Sequence, residues 1–90
     1  MSRAFVNEDA GGAVPRRDYG LPPRDDPSFD AAAAAALLEA ARAGETESAE
    51  QATGYYWGEP RLHAHVRRLL ARAEAAGDDR LEQLARRFLR

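Results

Sequence analysis

The sequence predicts an all-α protein: a small bundle of three to four short helices over residues 27–90, behind a disordered Pro/Gly-rich leader over residues 1–26. Three observations carry that expectation. Apolar residues recur at spacings of three and four through the second half of the chain, for example Leu62, Val66, Leu69, Ala73 and Ala76. Glycines at 44 and 77 fall where those periodic stretches end. No segment alternates apolar and polar residues as a half-buried strand would.

The leader contains Gly11-Gly12, Pro15, Gly20 and Pro22-Pro23 but few large apolar side chains. Prolines remove hydrogen-bond donors and glycines cost backbone entropy, so no regular element is expected there. Phe5, Val6 and Tyr19 are its available anchors.

The first helix is expected from Asp26-Pro27, with the acid as N-cap and the proline at the first helical position. Ala31 to Ala36 is the strongest helix former in the chain, and Phe29, Ala33, Ala36 or Leu37, and Ala40 share a face. Gly44 closes the helix in the C′ position. A second helix is expected from Ala49 to about Trp57, with Ser48 to Gln51 as a capping box. A third runs from Pro60 to Gly77. A fourth follows, capped by Asp79 to Glu82, with Leu81, Leu84, Ala85 and Phe88 inward. The short link from Gly77 to Asp79 forces the last two into a hairpin.

Composition excludes several classes. Cysteine is absent, so disulfides and thiolate metal sites are impossible. No apolar run has membrane length and no signal segment is evident, which points to the cytosol. The folding unit is small and its core thin, so a deep catalytic pocket is not expected and the chain reads as a non-enzyme. Nucleophile triads, phosphate loops and dinucleotide fingerprints are missing.

All thirteen positive residues are arginine, and the net charge of −2 conceals a polarised domain. Residues 29–59 hold one arginine against six carboxylates, whereas residues 60–90 hold eight arginines against four. Internal pairing between the two halves is the expected outcome; separate partners for each half is the alternative.

Two sets of residues stand out as candidate sites. Glu45, Glu47 and Glu50 form an acidic cluster beside Tyr55, Tyr56 and Trp57. The aromatic trio either fills the core that the alanines leave open or forms an exposed patch for a partner. On the third helix, Arg61, His65, Arg68 and Arg72 form a basic face at helical spacing. That face is either solvated or laid along a phosphate backbone, and direct nucleic-acid binding is the less favoured reading because the domain as a whole is not basic. His63 and His65 diverge by about 200° on a helix and cannot share a metal ion, so neither metal nor cofactor is expected.

Met1-Ser2-Arg3-Ala4-Phe5-Val6 followed by Glu8-Asp9 resembles the opening of bacterial Gre-type transcript cleavage factors. Gly44-Glu45, Ser48-Ala49-Glu50, Tyr56 and Arg61-Leu62 resemble the tip of that family's helical hairpin. In the family the tip acids help hold a metal ion at the RNA polymerase active site, and the matched positions here are Glu45 and Glu50. The family's long finger and second domain have no match in this chain. The resemblance therefore implies a transcription regulator that associates with RNA polymerase without cleavage activity. The alternatives are a small helical adaptor or homo-oligomer, or a nucleic-acid binder using the arginine stripe.

Overall fold

The computed structural model describes residues 19–90; most of the expected leader, including Phe5, Val6 and the Gre-like N-terminal patch, lies outside the described residues. The described chain is all-α, with helices α1 (Phe29–Arg42), α2 (Thr46–Thr53), α3 (His63–Ala76) and α4 (Asp79–Phe88). A single 3₁₀ turn, Pro60–Leu62, leads into α3. No described helix is long and apolar enough to cross a membrane.

Helix α1 is the hub, packing against α2, α3, α4 and the 3₁₀ turn, whereas among the helices α2 packs against α1 alone. Alanines make this possible. Ala33, Ala34, Ala36 and Ala40 are buried, and their small side chains let three other helices approach one helix. Between them Leu37 and Leu38 reach outward into a core completed by Phe29, Ala49, Leu62, Val66, Leu84, Ala85 and Phe88. Each fully buried Leu or Phe contributes about 1.5–3 kcal/mol relative to exposure. On α3, Leu69 is only half-buried and Ala76 is exposed, so the inward stripe is narrower than its period suggests.

Both expected glycine stops are formed. After α1, Gly44 N–H donates to Ala41 O (3.0 Å) and Glu45 N–H to Ala40 O (2.8 Å). After α3, Gly77 N–H donates to Glu74 O and Asp78 N–H to Ala73 O, the same two-bond Schellman closure. Both glycines have positive φ, 75° and 72°, which an L side chain rarely adopts.

The helix starts differ from expectation. Asp26 does not cap α1; its Oδ1 accepts from Ser28 N–H (2.8 Å) and Ser28 Oγ–H (2.6 Å), closing a turn ahead of Phe29. Those bonds hold the Asp26 carboxyl below the usual range. No capping box forms at Ser48. The closure at Gly44 brings the chain round so tightly that α2 begins at Thr46, which places Ser48 inside the helix and buries it. Helix α2 then stops at Thr53, not Trp57, because Gly54 turns left-handed at φ 79°. Asp78, rather than Asp79, caps α4 by accepting from Leu81 N–H (3.1 Å).

Residues 19–28, assigned mostly to the leader by composition, lie against the domain. Tyr19 and Leu21 pack on the core, and the Tyr19 hydroxyl donates to Ser48 Oγ (3.1 Å). Arg24 lies over the Phe29 ring, 5.2 Å from its centroid, and donates to Thr53 O (2.9 Å) at the C-terminal end of α2. This segment therefore runs alongside α2 in the same direction, bonded near each end.

The charged halves neutralise each other only in part: Arg61 of the basic half lies in the field of Asp30 and Glu59 of the acidic half. Among the described residues, the ion pair joining them is Arg42 with Asp78 (2.8 Å), the acidic half's arginine with a basic-half carboxylate. Arg86 spends its charge inside its own half, on Glu74 (2.7 Å) and Glu82 (3.0 Å). The reason is topological: α2, which holds Glu47 and Glu50, has no packing contact with α3 or α4.

Candidate functional site

The loop from Gly54 to Glu59 is built to sort three consecutive aromatic residues. Thr53 starts it: its buried hydroxyl donates to Ala49 O (2.8 Å) and accepts from Tyr55 N–H (3.1 Å). Tyr55 then turns inward, its ring 6.3 Å from that of Phe29 and its hydroxyl donating to Asp30 Oδ1 (2.7 Å). Trp57 also turns inward, its ring meeting Phe88 edge-on at 4.9 Å. Glu50 holds the same loop from α2, its Oε2 accepting from Trp57 N–H (2.8 Å). A turn closed by Glu59 N–H on Tyr56 O (3.1 Å) completes the frame.

Tyr56 is left outside. It is 78% exposed, the one exposed large apolar side chain among the described residues. The trio is therefore divided: Tyr55 and Trp57 pack against the domain, and Tyr56 projects.

Beside Tyr56 lies an open cleft of about 570 Å³, lined by Glu47, Glu50, Gln51, Gly54, Tyr55 and Tyr56. Four candidate residues from sequence meet there: Glu47, Glu50, Tyr55 and Tyr56. Glu45 and Trp57 do not line it. Gln51 and Gly54 were missed in sequence. Gln51 follows Glu47 by one turn, a signal legible only once α2 is known to start at Thr46. One carboxylate of this cleft also carries structure, since Glu50 fixes the Trp57 backbone.

The basic face is divided as well. His65, Arg68 and Arg72 line a second groove of about 160 Å³ between α1 and α3, together with Ala31, Ala35 and Leu69. Arg68 Nη2 donates to His65 Nδ1 (3.0 Å), which makes that nitrogen the acceptor. Arg61 leaves the row. The Tyr55 hydroxyl, then Asp30 and Glu59, hold its guanidinium more firmly charged than an ordinary arginine.

His63 is engaged elsewhere, its Nε2 donating to Gly58 O (3.1 Å) and its ring 6.0 Å from Phe88. Among the described residues no group of three or more histidines or carboxylates is placed to hold a metal ion.

No family model, curated protein or solved structure matches this chain.

Proposed function

We propose that the chain is a non-enzymatic, cytosolic protein-interaction module that docks a partner protein at the cleft formed by α2 and the aromatic loop. The observation that carries this reading is Tyr56, 78% exposed on a loop whose neighbours Tyr55 and Trp57 are both fixed. A large ring held outside the fold on a braced loop has little conformational entropy left to lose on binding. Tyrosine is also among the side chains that most often anchor protein interfaces. Glu47 beside it supplies a charge that selects a basic partner surface and speeds encounter.

RNA polymerase is the partner proposed here, on the strength of the Gre-like residues. Within that reading Glu50 is a brace for the loop rather than a metal-holding tip acid, because its carboxylate accepts the Trp57 N–H. The short α1, about 21 Å at 1.5 Å per residue, suits surface docking better than insertion into a channel.

The test is binding of the purified chain to purified bacterial core RNA polymerase, followed by interferometry and by affinity capture from lysate. Association that is lost on Tyr56→Ala and Glu47→Arg, with thermal stability unchanged, is the expected result. Recovery of no polymerase subunits from lysate, together with no association between the purified proteins, would remove the proposal.

A further inference from the structure

The domain displays two surfaces of opposite charge that its own topology keeps apart. The acidic–aromatic cleft and the arginine groove share no lining residue, and the helix bearing Glu47 never packs against the helix bearing the arginines. From these surfaces we infer that the protein associates head to tail with a second copy of itself, the α2 cleft of one copy seated in the α1–α3 groove of the next.

Complementarity of charge and spacing argues for this occupant. Glu47 and Glu50 are separated by three positions on α2, and Arg68 and Arg72 by four on α3, so each pair spans about one helical turn of ~5–6 Å. Two carboxylates can then face two guanidiniums. Arg72 has no hydrogen-bond or ionic partner among the described residues, and Arg68 is engaged only by His65. Apolar parts match as well: the Tyr56 ring stands beside the carboxylates, while Ala31, Ala35 and Leu69 help line the groove between the helices. An arginine on the groove rim can also cover the face of that ring. With a net charge of only −2, the chain as a whole does not repel its own copies strongly.

A head-to-tail contact leaves one cleft and one groove free at the ends, so it propagates unless the rotation closes a ring. The proposal rests on the cleft being a protein-docking surface, but its failure is separable from failure of polymerase binding because the readout is mass alone.

Sedimentation of the full chain over a range of concentrations tests it. At about 10 mM ionic strength, where the screening length is ~30 Å, the weight-average mass should rise with concentration beyond that of a dimer or level off at a closed ring. At about 1 M salt, with screening over ~3 Å, it should return to the monomer. Glu47→Arg alone, and Arg68→Glu with Arg72→Glu, should each weaken association more than about tenfold. The deciding experiment mixes these two variants. One retains a working groove and the other a working cleft, and their two altered surfaces are of opposite charge, so the mixture should regain association that neither variant shows alone.

Circular dichroism of each variant establishes that it is folded, and Tyr56→Ala supplies a second lesion that removes no charge. A monomeric mass at every low-salt concentration would overturn the inference, as would association indifferent to both sets of variants. Binding of a DNA duplex in the Arg68–Arg72 groove by a chain that stays monomeric would overturn it too, and would assign that groove to phosphate.

Discussion

Replacing Thr53 by valine tests whether one hydroxyl sets the geometry of the aromatic loop. Thr53 is fully buried, at 0% exposure, and valine matches it in shape. What disappears is the donor to Ala49 O and, more importantly, the acceptor for Tyr55 N–H. A helix carbonyl deprived of an extra donor loses little. A part-buried N–H left without an acceptor costs about 1–3 kcal/mol. Thr53→Ser is the counterpart: it keeps the hydroxyl and deletes one buried methyl, at about 0.5–1.5 kcal/mol.

Urea denaturation followed by far-UV circular dichroism measures both, with equal slopes as the check that only the native state has changed. In a domain of this size each kcal/mol lowers the thermal midpoint by about 4–8 °C. The expected order is wild type, then Thr53→Ser, then Thr53→Val. The valine variant should also show weaker quenching protection of Trp57, because the loop beyond Tyr55 is less constrained. If Thr53→Val were as stable as wild type while Thr53→Ser was not, packing rather than hydrogen bonding would hold the loop.

Other substitutions probe separate supports. Gly54→Ala places a residue at φ 79° and a Cβ 2.6 Å from Arg24 Nη1, so it should cost about 1–2 kcal/mol in backbone strain and release Arg24 from Thr53 O, read as faster proteolysis near residue 24. Phe88→Ala removes the ring against which Trp57 and His63 rest; a loss of about 3–5 kcal/mol in denaturant titration and red-shifted Trp57 emission are expected. The pH dependence centres on Asp78, whose carboxyl the Arg42 guanidinium and the Leu81 N–H hold below its ordinary 3.8. A lowered folded-state pKa means stability that is present above that ordinary value and lost as pH falls through the folded one. The gap in thermal midpoint between wild type and Asp78→Asn should therefore narrow below about pH 3.8 and vanish at lower pH; a gap constant to the acid limit would refute it.

Legibility in sequence depended on how local the cause was. Gly44 and Gly77 could be read directly, because the left-handed closure they allow is a property of the residue and its position in the helix. The apolar faces of α1 and α4 were legible for a related reason: burial follows a period. The start of α2 was not, since it is set by the Gly44 closure upstream rather than by Ser48, whose hydroxyl meets Tyr19 instead.

Sites were harder. Three aromatics in a row have no period, so only the Thr53 and Glu50 hydrogen bonds reveal that Tyr56 alone turns outward. The segregation of charge could be counted, but not how incompletely it neutralises internally. That outcome depends on α2 having α1 as its only packing partner among the helices.

The crowding around α1 has an evolutionary consequence. Ala33, Ala34, Ala36 and Ala40 look like interchangeable filler in a low-complexity run, yet each has neighbours against its methyl group. One base change from an alanine codon leads to serine, threonine, proline, valine, glycine, aspartate or glutamate. Proline breaks the helix, the acids bury a charge, the β-branched residues overfill the contact and glycine weakens the helix. Serine alone comes close in volume. The plainest stretch of this chain should consequently be among its slowest to drift, and the textured stretches on its surface among the fastest.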